Sequence, residues 1–223
     1  MNKMILYKEW LKSRWILLGL LLLFAALGTH CLLNLAKVVE FRGAAMLWTA
    51  LLGKETILID TLYYLPPVAG LGLALAQFLP EVQHKRLKLT LHLPYPQGRM
   101  IVGMALYGML ALALLFGLQT LSFVLVFRSW FVGELIGRVL LSALVWYLAG
   151  WAVYLLTAAA CIEPTWRLRV VYLILGAAFL HLCYLSGIPE AYNAFLPGMA
   201  VTVLLSGSLL FLSVARFKEG VQD

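Results

Sequence analysis

Residues able to do chemistry are few in this chain, and they stand apart. Cys31, Cys161 and Cys183 show no C-x-x-C spacing, so neither a disulfide framework nor a zinc site is implied and all three read as packing residues. His30 beside Cys31, and His181 two residues before Cys183, bring imidazole and thiol together in the manner of haem or copper ligands. The four histidines, His84 and His92 included, nevertheless form no close cluster, and they read as hydrogen-bonded packing residues. No H-E-x-x-H and no G-x-S-x-G occurs; the nearest serine run, Leu204 to Ser208, lacks the first glycine. Gly53-Lys54 is followed by Glu55 and has no glycine at the upstream phosphate-loop position, so the sequence contains no ATP site. Asp60 reads as an interfacial residue about a turn inside an apolar stretch, with a gate or substrate contact as the alternative.

These groups sit in a chain built for lipid. Of 223 residues, 63% are hydrophobic and 12% charged, against roughly 45–50% and about 25% in a soluble domain. A helix needs about 20 apolar residues to cross a bilayer. Six such stretches are expected, at about 15–35, 56–79, 100–127, 139–161, 170–186 and 194–215. Pro80, Pro94, Pro96, Pro164, Pro189 and Pro197 fall in or beside the gaps, where a missing donor costs little. Pro66 and Pro67 instead interrupt the second stretch near its middle and are candidates for a hinge or a pathway opening. The expected fold is a single all-α transmembrane domain over residues 1–223, with no soluble domain.

The net charge of +7 fits a biased topology better than a nucleic-acid partner. With the N-terminus cytoplasmic, 12 of the 17 basic residues lie on the inner side. The ten acids split evenly, which leaves the whole excess inside. Both termini are therefore expected in the cytoplasm, and the basic start followed by an apolar run without a small-residue cleavage site reads as an uncleaved first span.

Met4, Tyr7, Leu11 and Trp15 recur at helical spacing with Lys8, Glu9 and Lys12 elsewhere on the helix, so residues 1–14 are expected to form an amphipathic helix in the inner interface. Phe41, Ala45, Trp48 and Leu52 repeat the spacing between the first two spans. Gly70 with Ala74 and Gly72 with Ala76 place small residues at i and i+4, a packing face for another helix. The central parts of the spans contain no Asp, Glu, Lys or Arg. Such groups mark ion and proton routes, so any uphill transport would draw its energy from a partner.

The most informative stretch is Phe78 to Arg99, the most basic inner loop and the longest. Leu87, Leu89, Leu91 and Leu93 alternate with Lys88, Thr90 and His92, a strand-like period with no strand to pair. As a helix the same leucines lie on two nearly opposite sides, which suits a short element wedged between the membrane domain and a docked protein.

Glu81 at the inner end of the second span, the basic turn Lys85-Arg86, the leucine-rich segment ending in Leu93-Pro94, and Arg99 leading into the third span resemble the pattern of ABC type-2 exporter permeases. The resemblance implies that Glu81, Lys85, Arg86, Leu87, Lys88, Leu89, Thr90, Leu91, His92, Leu93 and Arg99, within a cytoplasmic loop over 80–99, form a coupling element seated in a separate ATPase. It also implies that Lys8, Trp10, Leu11 and Arg14 belong to the connecting helix, and that 187–198 is a shortened outer hairpin. The expected function is then that of a permease subunit in the bacterial inner membrane. It would form the substrate pathway with a second copy or a related chain, surrounded by membrane lipids, and hold no cofactor of its own. ATP and Mg would sit on the ATPase subunits. The rival readings are a non-transporting membrane scaffold or assembly factor, and an intramembrane enzyme using Asp60 with His30.

Overall fold

The computed structural model describes residues 2–43, 62–83, 97–131, 133–186 and 191–219. Among them the chain is all-helical: α1 Asn2–Arg42, α2 Leu65–Gln83, α3 Gln97–Phe127, α4 Gly133–Ile162, α5 Trp166–Cys183 and α6 Leu196–Glu219. All six are long and apolar enough to cross a membrane, as the composition predicts. Their outward surfaces carry rows of exposed leucine, isoleucine and valine, for example Leu110, Leu114, Leu118, Leu121 and Leu125 on α3. Such surfaces are stable only against hydrocarbon.

The buried axis of the bundle is α4, against which α2, α3, α5 and α6 pack, while α1 lies on α2 and α3. Sequence explains the choice. Ala149, Gly150, Ala152, Ala158 and Ala159 are all buried on α4, and small residues let neighbouring backbones come close where no hydrophobic force pulls helices together. The tightest approach is to α2: a Cβ on Gly70 would overlap the Gly150 carbonyl oxygen, and one on Gly150 would lie 2.7 Å from the Pro66 carbonyl oxygen. Gly70 and Ala74 form the packed face expected of them, whereas Gly72 and Ala76 point away from it, with nothing within 4 Å of a Cβ at Gly72.

Two elements differ from the sequence reading. The amphipathic segment at 1–14 is not separate from the first span: α1 is one uninterrupted helix of 41 residues, about 60 Å long at 1.5 Å per residue. No proline or glycine precedes Gly19 to break it, and its first turns are held to the bundle by Ile5, Glu9 and Ser13, which face α2 and α3. In the second span, Pro66 and Pro67 do not kink a helix at its middle. They occupy the first turn of α2, which starts at Leu65; residues 56–61, the earlier part of the expected span, lie outside the described residues.

That start lies deep in the bundle. Gly150, which meets Pro66, is twelve residues from Arg138 and twelve from Ile162, so it sits near the centre of the apolar part of α4, about 18 Å from its end. The first four N–H groups of a helix lack intrahelical acceptors, a serious cost in hydrocarbon. Proline removes two of them at Pro66 and Pro67, and the Val68 N–H reaches the Tyr64 carbonyl at 3.3 Å.

Gly70→Val is expected to lower stability in detergent by about 1–3 kcal/mol through overpacking, whereas Gly72→Val should stay within about 0.5 kcal/mol of the parent. Unfolding followed by circular dichroism distinguishes them.

Candidate functional site at the carboxylate end of the bundle

The start of α1, the end of α2, the start of α3, the end of α4, the start of α5 and the end of α6 meet at one end of the bundle. Three buried carboxylates, Glu9, Glu81 and Glu163, lie there. They are organised as two polar knots.

In the first, Lys12 bridges two helices. Its Nζ donates to Glu81 Oε1 at 2.8 Å and to the Gln77 carbonyl at 3.2 Å, and lies 2.8 Å from Glu9 Oε1 one turn earlier on α1. Lys8 adds a second ion pair to Glu81 Oε1 at 2.8 Å. Two ammonium groups thus balance two carboxylates. Glu9 is 0% and Glu81 1% exposed, while Lys12 is 12% and Lys8 40% exposed in the side chain, so Lys12 is the cation that matters most in the interior. Glu9 Oε1, although 2.8 Å from Lys12 Nζ, Glu9 Oε2 and Glu81 Oε2 make no hydrogen bond among the described residues.

Around this pair the chain is laced with neutral bonds. Gln77 donates to the Met104 carbonyl of α3 at 2.7 Å and accepts from the Tyr154 hydroxyl of α4 at 2.8 Å. Gly108 leaves the room that the Tyr154 ring occupies. Ser13 donates to the Glu9 carbonyl at 2.8 Å, so the 2.6 Å contact between Ser13 Oγ and Tyr107 Oη is donated by the tyrosine. Four helices are therefore joined within two turns of Glu81.

The second knot centres on Glu163, just past α4. Thr165 donates to Oε1 at 2.9 Å, Tyr172 and Arg216 reach Oε2 at 3.4 and 3.3 Å, and the Arg169 Nε donates to the Glu163 carbonyl at 2.6 Å. It fixes the tight turn from α4 to α5 and ties both to α6.

The opposite ends of α2 and α5 meet in an aromatic cluster. Tyr63 donates to the Tyr184 carbonyl at 3.2 Å and Tyr184 donates back to the Tyr63 carbonyl at 2.9 Å, with Trp146 against the Tyr63 ring. This exchange satisfies backbone oxygens where α2 begins and α5 ends.

Of the residues singled out in the sequence, Glu81 and Lys8 are brought together directly. Trp10 and Leu11 are exposed, and Arg14 stacks on Trp15, its guanidinium carbon 5.4 Å from the ring centroid. Pro66 and Pro67 lie at the far end of α2, and Arg99 falls in the first turn of α3. Asp60 and the whole run Lys85, Arg86, Leu87, Lys88, Leu89, Thr90, Leu91, His92 and Leu93 lie outside the described residues, as do Gly187–Glu190 of the expected outer hairpin. Glu9, Lys12, Ser13, Gln77 and Glu163 went unremarked as a site. The one available signal was an acid and a lysine three apart on α1 whose helix also ends up beside Glu81. His30 and His181 are exposed, Cys161 and Cys183 form no disulfide, and no metal-binding group of three exists among the described residues.

Six membrane-length apolar helices closed at one end by buried ion pairs define a multi-pass integral membrane protein. A scan of protein-family models, a search of curated proteins and a search of solved structures each find no match.

Lys12→Met should destabilise the protein by about 3–5 kcal/mol, because it leaves two buried carboxylates facing one lysine. Lys8→Met, at an exposed position, should cost about 1 kcal/mol or less. In Lys12→Met/Glu9→Met most of the loss should return, since Lys8 and Glu81 again balance. Thermal unfolding in detergent reads all three.

Proposed function

We propose that this chain is the membrane permease subunit of an ATP-driven ABC exporter, working with a second permease chain and with separate ATPase subunits that carry ATP and Mg. One observation carries the reading. The first knot joins both stems of the 84–96 segment, α2 through Glu81 and Gln77 and α3 through Met104, to the N-terminal helix through Lys8 and Lys12. A force applied to that segment is thereby delivered to α1, α2 and α3 together, as a coupling element requires. The carboxylate end is then the cytoplasmic end, in keeping with the positive charge of its flanking segments, and Lys85 to Leu93 is the surface offered to the ATPase.

The sequence supports the division of labour. It has no ATP motif and no ionisable group at the centre of its spans, so work has to come from a docked motor. A tagged chain extracted in mild detergent is expected to carry a cytoplasmic ATPase with it. Leu89→Asp should weaken that association by about 30-fold, the loss typical of an apolar anchor worth about 2 kcal/mol, while the permease still elutes as a folded species. Recovery of the chain with no ATPase, or ATP hydrolysis indifferent to Leu89→Asp, would overturn the proposal.

A further inference from the structure

A groove of 350 Å³ runs along the bundle surface, with α4 as its floor at Val153, Leu156 and Thr157 and with α2 and α5 as its walls. On α5 the wall is the stripe Tyr172, Leu173, Gly176, Ala177 and Leu180, eight residues or about 12 Å long. The groove exists because Gly176 and Ala177 have almost no side chain at the point where a leucine would close it. It opens sideways at the depth of the apolar helices. A Cβ on Gly176 would touch only Leu156, at 3.7 Å.

What occupies it follows from its apolar lining and from the charge at its end. The stripe is about 12 Å long and narrow enough at Gly176 and Ala177 for a single hydrocarbon chain to lie along it. The stripe on α5 continues by one and two turns toward the carboxylate end to Arg169 and Trp166. Among the described residues, Arg169 engages only its Nε, on the Glu163 carbonyl. Glu163, close by, is fully buried and already held by Thr165, Tyr172 and Arg216. An apolar slot therefore ends in the guanidinium of Arg169, whose Nη groups make no hydrogen bond among the described residues, next to an exposed tryptophan of the kind that marks the headgroup level.

We infer that the α2–α4–α5 groove is a binding site for one acyl chain of an anionic phospholipid, whose headgroup phosphate is held by Arg169. The inference concerns the isolated chain and does not depend on an ATPase.

The test is native mass spectrometry of the protein released from vesicles made of equal parts phosphatidylglycerol and phosphatidylcholine. Wild type should retain phosphatidylglycerol in preference, and Gly176→Phe, which fills the slot, should lose bound lipid of both kinds. Arg169→Gln should keep lipid but lose about fivefold in preference for phosphatidylglycerol, the effect of one basic residue near a membrane surface. If Gly176→Phe does not fold, judged by elution and circular dichroism, the smaller Ala177→Leu gives the same reading. Equal retention of the two lipids by wild type, or undiminished lipid on the folded filled-groove variant, would overturn the inference. So would disulfide-linked dimers of Ala177→Cys in native membranes, beyond those of wild type, since a second copy would then occupy the groove.

Discussion

A helix that begins buried against the middle of α4 has to dispose of its own unpaired N–H groups, and much of this structure follows from how α2 meets that demand. Pro66 and Pro67 lack the donors that would be orphaned, and Val68 turns back onto Tyr64. The preceding backbone is tolerated because it is covered: Tyr63 and Tyr184 exchange hydroxyl-to-carbonyl bonds across the gap. Non-helical chain survives at such depth only when protein encloses it. The enclosure in turn requires α2 to lie hard against α4, which Gly70 and Gly150 permit. Because α2 and α5 meet through tyrosines at that end, the space between their walls below it is left open to lipid as the groove.

The other end of α2 is governed by charge rather than by backbone. Buried ion pairs add little net stability compared with apolar packing, since desolvation offsets most of the attraction, but they punish misplacement severely. Lys12 satisfies two carboxylates from different helices only in one register of α1 against α2. A shift by one residue would turn Lys12 away from Glu81 and leave Glu9 buried without a cation. The knot is thus a device for fixing position, and the fully occupied Glu163 fixes α4, α5 and α6 in the same manner. Each half of the bundle has its own clamp, at the same end.

Six spans were legible from composition alone, because apolar runs of membrane length have few other uses. The depth of α2 was not. Two adjacent prolines inside a long apolar run look like a kink when the run is treated as one helix, and only the contact with Gly150 shows that they open a helix instead. The joining of residues 1–14 to the first span was hidden for a related reason: an amphipathic pattern records which face is apolar, but not whether that face meets headgroups or the flanks of α2 and α3. Glu81 stood out for its position. Its partners did not, since the pairing of Lys12 with a residue 69 positions away depends on two helices lying side by side, and no local spacing encodes that.

These features set what α2 can transmit. Its 19 residues make a rod of about 28 Å, gripped at one end by Lys8, Lys12 and Met104 and at the other by the tyrosine pair and Gly150. Along its length the Gly70 contact prevents it from sliding over α4 without a clash of backbones, so tilting about that close contact is the movement left to it. A push at Glu81 would then appear, reversed, at Tyr63 and Tyr64, and Tyr64 is also a wall of the lipid-facing groove. On the exporter reading, work done at the carboxylate end is delivered to the slot between α2 and α5, which would widen or narrow as the rod tilts. The absence of charge along the spans is then what such a mechanism needs, because an ion pair beside Gly70 would lock the rod at its pivot.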